Sequence, residues 1–397
     1  MIPSIDAPIL KTWIEHIRQL SVEIGPRGST TAGERRGAEY CRSAFENIGL
    51  SPVFETYQSA VSIFDPHILG SAGMLISFGL YAFGTPLLQG LAALLAVSAL
   101  TCELLELGFK DNLFRRLVRK GQSQNVFAVI PPAAEHRADL VLIGHVDTQH
   151  TPLIFRSPAW VAAYQNFTTT AFVLFLLQAL LYLVGTFTRW PWTWYASIPS
   201  AICAVLLAAI CIEANRSPFT AGANDNASAV GMVLGLAEEL HKSPLQHTRV
   251  YAVCTGCEEV QHYGAIDFFT RHRKEMLRPR GLVFEMLGSA GPGWETQEGI
   301  IIPFRPDANM LRLVEHLSAE HPEWGGYPVK INGGNSEMAD CVRFGVPALT
   351  LFGMTPDLVA PYWHQVGDTF DKLNPDVLAR TWAFTWALVQ SLDRAAE

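Results

Sequence analysis

The sequence predicts an α/β fold: a β-sheet covered by helices on both faces and interrupted by two transmembrane helical hairpins. Three observations carry that expectation. Short apolar runs recur along the chain with helical stretches between several of them, the pattern of a sheet buried on both sides. Two segments, residues 68–107 and 167–212, are almost free of charge and break near their middles at proline or glycine. Elsewhere, imidazole and carboxylate side chains collect at the carboxyl ends of the apolar runs, where open α/β sheets keep their functional groups.

Taken in order, residues 6–21 and 33–48 have helical periodicity, with Trp13, Ile14, Ile17 and Leu20 on one face. The start, "MIPSIDAPILKTWIEHIRQL", reads as an amphipathic helix rather than a signal peptide, because no charged stretch precedes an unbroken apolar one. Residues 68–107 carry no charge before Glu103, and 167–212 carry only Arg189. A membrane-spanning helix needs about 20 apolar residues. Each segment is long enough for two, with breaks at Gly84–Pro86 and Thr188–Pro191. Trp190, Trp192, Trp194 and Tyr195 match an interfacial aromatic belt. Buried core helices or an apolar cap are the alternative, but segments uncharged on every side favour a bilayer. Neither hairpin has an ionisable residue at mid-span, which argues against a channel or pump.

The expected strands are 124–130, 140–146, 248–254, 281–287 and 346–352, and the expected helices between and after them are 226–241, 261–274, 307–320 and 375–393. One globular domain is therefore cut into three parts, 1–66, 110–166 and 215–397, by hairpins at 67–109 and 167–214. No internal repeat is evident. The net charge of −8 and the lack of a dense Lys/Arg run exclude non-specific nucleic-acid binding as a main role. Charged residues are only 17% of the chain, against about 25% in an average soluble protein. The lipid bilayer is thus an expected partner. Seven cysteines, odd in number and scattered, suit a reducing compartment better than a disulfide framework.

Four apolar runs or loops end in groups that bind metals. "VLIGHVD" presents His145 and Asp147, "YAVCTGCEE" presents Glu258 and Glu259, "LVFEM" presents Glu285, and "PYWHQVGDT" presents His364. "AGANDNASAVG" adds Asp225 at the start of a helix. Two imidazoles with several carboxylates suit zinc, or manganese or cobalt. Singly, each has an ordinary explanation: a structural histidine, an ion-pair glutamate, a helix-capping Asp225, a turn at Asp368. "CTGCEEV" leaves two chemistries open, a redox or thiolate pair at Cys254 and Cys257 or a carboxylate pair at Glu258 and Glu259.

Seven stretches resemble, in order, those of the co-catalytic zinc aminopeptidases, whose relatives include glutaminyl cyclases, glutamate carboxypeptidase II and the transferrin receptor ectodomain. They are "TTAGERRGAEYCRSAFENIGL", "VLIGHVDT", "GANDNASAVGMVLGLAEEL", "CEEVQHYGAIDFF", "LVFEMLGSAGPG", "RFGVPALTL" and "HQVGDTFDKLNPDVL". The resemblance covers nearly everything outside the hairpins. It implies a mixed-sheet, three-layer exopeptidase fold holding two zinc ions. His145 and Glu285 would bind one ion, Glu259 and His364 the other, with Asp225 between them. Glu258 would be the general base, and Asp147 would accept a hydrogen bond from His145. A cis peptide is implied between Asp225 and Asn226. The cysteines then read as buried small hydrophobes.

Two features depart from the family pattern. Glu285 stands where an aspartate is usual, and "SEMADCVRFG" lacks the Asp-His pair of many relatives. His150 and His262 are outside candidates. The implied activity is a membrane-anchored exopeptidase, most simply an aminopeptidase, acting on peptides or peptide-like substrates with a free amino terminus. The alternatives are a one-zinc glutaminyl-cyclase-like acyltransferase and a non-catalytic receptor or scaffold. Lys110, Arg115, Arg116, Arg119, Lys120, Arg156 and Arg216 flank the hairpins on the globular side, which predicts a multi-pass protein with that side in the cytoplasm.

Overall fold

The computed structural model describes residues 2–4, 7–331 and 333–395. Residue 6, where the first helix was expected to begin, lies outside the described residues. The chain forms two compact units, one from residues 1–59, 121–150 and 219–397, the other from 60–120 and 151–218.

The larger unit is built on eight strands: β1 (Val53–Ala60), β2 (Lys120–Ile130), β3 (Ala138–His145), β4 (Thr248–Thr255), β5 (Arg280–Glu285), β6 (Gly293–Glu295), β7 (Tyr327–Val329) and β8 (Ala348–Phe352). They lie in the order β1-β2-β4-β3-β5-β8-β6-β7. The central strands β4, β3, β5 and β8 are mutually parallel, and β2 and β6 run antiparallel to their neighbours β4 and β8. This is the mixed sheet that the resemblance implies. Strands β1, β6 and β7 were not anticipated. β1 mixes polar with apolar residues, and the other two are three residues each, too short for a periodic signal.

Side chains alternate across this sheet, as a period of two requires. Val126, Ala128, Leu140, Leu142, Val250, Ala252 and Leu282 face one core. There they meet Trp13 and Ile17 of α1 (Pro8–Arg18), Phe45 of α2 (Ala32–Asn47) and Val233 of α3 (Ser228–Lys242). Phe127, Val141, Ile143, Tyr251, Val253 and Val283 face the opposite core. They meet Phe268 and Phe269 of α4 (Tyr263–His272). The first core also takes Met310 and Val314 of α5 (Ala308–Glu320), the second Met338 and Cys341 of α6 (Met338–Arg343). The last helix, α7 (Pro375–Arg394), joins the first core through Trp382 and Leu388. The three-layer arrangement follows from this alternation.

The smaller unit consists chiefly of four helices, Asp65–Ala82, Pro86–Leu107, Pro158–Thr188 and Ile198–Arg216. Two of them start on a capping residue followed by proline. Thr85 accepts from Leu88 N at 3.4 Å and Ser157 from Trp160 N at 3.4 Å. The helices break at Phe83–Thr85 and Arg189–Pro191, beside the proline and glycine seen in the sequence. The third begins at Pro158 rather than near 167, because the cap sits there. By length and composition, Pro86–Leu107, Pro158–Thr188 and Trp192–Arg216 can cross a membrane; Asp65–Ala82 is not among them. Alanines recur in the interior of this unit, among them Ala92, Ala96, Ala99, Ala171, Ala179 and Ala204, beside larger side chains such as Met74, Phe175 and Leu207. Many other large apolar side chains face outward, including Leu87 at 73% exposure and Phe187 at 87%. Tyr81 and Tyr182 stack at 3.9 Å inside it. Trp190, Trp192 and Tyr195 are exposed where the chain turns between the third and fourth of these helices.

Candidate metal centre

Parallel β3, β4 and β5 deliver their carboxyl ends to one place. His145 closes β3 opposite Thr255, three residues before Glu258, and Glu285 closes β5 opposite Phe352 of β8. Asp225 comes from the loop that leads into α3, and its peptide bond to Asn226 is cis, as the resemblance implies. Gly222 opens that loop at φ 61°, where a Cβ would overlap the Thr148 side chain and the Asp225 carbonyl oxygen. His364 arrives on the loop before α7, also with a left-handed backbone at φ 52°.

All seven expected site residues meet here. His145 Nε2 lies 3.4 Å from Asp225 Oδ1 and 3.5 Å from Glu285 Oε2. His364 Nε2 lies 3.4 Å from Asp225 Oδ2 and 3.2 Å from Glu259 Oε2. Asp225 therefore turns one oxygen to each imidazole. Glu258 stands slightly apart, with Oε2 at 3.8 Å from His145 Nε2. Asp147 differs from expectation in detail. His145 Nδ1 donates to its main-chain carbonyl at 3.0 Å, and the carboxylate lies 3.6 Å away. That carboxylate instead accepts from the amides of Glu258 (3.1 Å) and Glu259 (3.2 Å) and from Ser29 Oγ (2.6 Å). It thus holds the Glu258–Glu259 turn.

The groups fit divalent cations. The triads His145–Asp225–Glu285 and Asp225–Glu259–His364 each bring three ligand atoms within 4.8 Å of one another. A tetrahedral zinc with bonds of about 2.0–2.1 Å places its ligand atoms roughly 3.3–3.4 Å apart, which the spacings above match. Glu259 Oε1 and Glu285 Oε1 are buried and accept no hydrogen bond, a costly state unless a cation faces them.

Electrostatics agree. Burial pushes Glu285 well above the usual carboxylate range and Glu259 up to about 7, although His145 and His364 pull them back down. Burial disfavours charge on the two imidazoles as well, yet the surrounding carboxylates raise both above their ordinary value. Positive charge is what this cluster lacks.

Several supporting residues carry no signal in the sequence. Arg27 is fully buried and donates to the carbonyls of Val146 (2.8 Å), Ala221 (2.8 Å) and Gly222 (2.9 Å), tying the end of β3 to the loop before Asp225. Asn226 Nδ2 donates to Glu285 Oε2 at 2.9 Å and Gln149 Nε2 to Glu259 Oε2 at 3.1 Å. Asp368 is more than a turn residue, since its two oxygens accept from the amides of Asn224 (2.7 Å) and Asp225 (2.9 Å). His150 stacks on Phe219 at 3.8 Å and contributes to neither triad, whereas His262 reaches Glu258. Cys254 and Cys257 are fully buried, and burial pushes both thiols well above their usual range, as inert small hydrophobes require.

Residues 213–389 match peptidase family M28, somewhat under half of the chain. Among solved structures, a Zn-dependent exopeptidase from Parabacteroides distasonis shares 10% identity, with 99% of each chain covered and a TM-score of 0.55. A zinc aminopeptidase from Bacillus subtilis shares 14%, covering 96% of this chain and 94% of its own, with a TM-score of 0.57. A glutaminyl cyclase from Tannerella forsythia shares 13%, covering 98% and 99%, with a TM-score of 0.56. At such identities these likenesses establish the fold alone. No curated protein matches the sequence. The match to a peptidase family falls almost entirely within the larger unit and takes in Asp225, Glu258, Glu259, Glu285 and His364.

Proposed function

We propose, from the M28 character of residues 213–389, that the chain is a membrane-anchored zinc aminopeptidase working with two metal ions. The observation that carries the reading is Asp225, whose two oxygens face two separate imidazole–glutamate pairs while Glu258 stands beside them with one oxygen turned inward. In this reading His145 and Glu285 would hold one zinc and Glu259 and His364 the other, with Asp225 offering an oxygen to each. Zinc held there would supply Lewis acidity to a water and to a scissile carbonyl. The remaining chemistry belongs to Glu258. Its Oε2 takes the proton of the attacking water and later passes it to the leaving amine. Asp147 holds the main chain at Glu258 and Glu259 through the hydrogen bonds it accepts from their two backbone N–H groups. The substrate is a peptide or peptide-like molecule with a free amino terminus.

The anchor in this proposal is the pair of hairpins at 67–109 and 167–214. It is supported by three of the four long helices, which are of spanning length, and by the many large apolar side chains that the smaller unit exposes. An apolar exterior with alanines among the buried residues suits helices that associate in lipid. The basic residues on the globular side favour a cytoplasmic catalytic unit.

A glutaminyl-cyclase-like activity is the second reading, favoured by the cyclases that share this fold. Zinc per chain and turnover of two substrates separate the two. About two zinc ions with release of an amino-terminal residue from an aminoacyl reporter supports the aminopeptidase. One zinc with cyclisation of an amino-terminal glutamine supports the cyclase. A folded protein that holds no zinc and turns over neither substrate sinks both.

A further inference from the structure

Beside Glu258 stands a pair of buried side chains that the mechanism above does not use. His262 Nε2 is 3.1 Å from Glu258 Oε1, the oxygen turned away from His145. The other ring nitrogen, Nδ1, is 2.6 Å from Asp340 Oδ2. Asp340 belongs to α6, in the stretch "SEMADCVRFG" that departs from the family pattern, and its second oxygen faces Arg343 Nη1 at 3.4 Å. Both His262 and Asp340 are almost entirely removed from solvent.

The backbone is shaped to place this imidazole. Gln261 and His262 are successive non-glycine residues in the left-handed region, at φ 85° and 57°. Their amides both donate to the Glu258 carbonyl, at 3.1 and 2.9 Å, so the main chain curls back over the residue whose side chain His262 meets. Side chains rarely adopt this conformation unless their surroundings hold it, and such residues collect at functional sites.

We propose that His262 and Asp340 form a positioning pair for Glu258, an inference that rests on the reading of Glu258 as the base. A glutamate carboxylate on three rotatable bonds has many orientations, and proton transfer needs one of them. His262 fixes Oε1 from outside the site, which leaves Oε2 as the oxygen directed inward. Asp340 fixes His262 in turn, because an imidazole bonded at both nitrogens cannot rotate about its own axis. The pair thus does for the base what outer hydrogen-bond partners do for metal ligands.

The test compares His262→Phe, His262→Gln, Asp340→Asn and Glu258→Gln in the full chain, reading zinc per chain, thermal midpoint, kcat and KM. His262→Phe keeps a ring of similar size without either hydrogen bond. It should retain its zinc and lose about 10- to 100-fold in kcat, with KM within about threefold. His262→Gln can still donate to Glu258 and should recover part of the loss. Asp340→Asn should show the same split with a smaller drop, and it keeps the test alive should His262→Phe not fold. In a Glu258→Gln background, His262→Phe should cost nothing further, because a positioning residue has no effect once its client is gone. Full kcat in folded, zinc-loaded His262→Phe overturns the proposal, as does an additive loss in that background or a loss of zinc. Full activity in Glu258→Gln alone would instead remove the base assignment, and the positioning role with it.

Discussion

Glu258 and Glu259 are chain neighbours with different surroundings, and that difference sets what each substitution does. Glu259 is buried against His364 and has an oxygen without a hydrogen bond. Glu258 is a little more open and leans on His262. Glu258→Gln should keep zinc while peptide hydrolysis falls by roughly 10²–10⁴. Glu259→Gln should lower zinc per chain and the metal-dependent part of the thermal midpoint, since a ligand bound only to the folded state stabilises it by mass action. Ala at Cys254 and Cys257 should leave zinc unchanged. If the cysteine variant loses zinc and Glu259→Gln keeps it, the carboxylate reading is wrong. Remote from the site, burial pushes the His16 imidazole down to about 4, against the opposing pull of Glu238 and Glu15. Tyr40 Oη lies 2.7 Å from its Nδ1. The unfolded chain binds that proton more readily, so the contribution is whole above about pH 6.5 and is lost as pH falls towards 4. Complete loss amounts to at most about 3 kcal/mol. His16→Gln should therefore lose less thermal stability than the parent between pH 7 and 4.5. Equal acid sensitivity would exclude His16 as a source.

Elements were legible in the sequence where they are long and periodic, and illegible where a contact makes them. The continuous apolar runs of β3 and β4 announced buried parallel strands within a residue or two of their ends. The helix expected at 261–274 is α4 at Tyr263–His272, shortened because Gln261 and His262 are left-handed. The clustered imidazoles and carboxylates were readable because strand ends are readable. Arg27 was not, since an arginine that spends its donors on distant carbonyls looks in sequence like any surface arginine. Asp340 was hidden in a stretch notable only for what it lacked. The loop that carries Asp225 offers a test at this scale. Gly222→Ala introduces a Cβ at a positive φ against Thr148 and Asp225. It should destabilise by more than about 1 kcal/mol and reduce zinc per chain, both measurable in detergent. A variant with parental thermal midpoint and zinc content would show that the loop tolerates a side chain there.

For the molecule as a whole, the proposed orientation rests on the turns within 67–109 and 167–214 offering only Arg189 as a basic residue, whereas Lys110, Arg115, Arg116, Arg119, Lys120, Arg156 and Arg216 flank those segments. Reporters fused into those turns should be active outside the cytoplasm, and cytoplasmic signals from them would refute the proposed orientation. The strand order also has a consequence in time. β3 lies between β4 and β5, and both of its neighbours are encoded after the second hairpin. A ribosome adding about 5–20 residues per second needs roughly 5–20 s to travel from the end of β3 to the end of β4. Through that interval a strand whose centre, Leu140–Ile143, is wholly apolar waits with both edges open while residues 151–218 of the smaller unit are made. The sheet is closed from its middle only after the smaller unit is complete. Chains halted on the ribosome before residue 248 should be cut by protease within 138–145, and chains halted well beyond 285 should not.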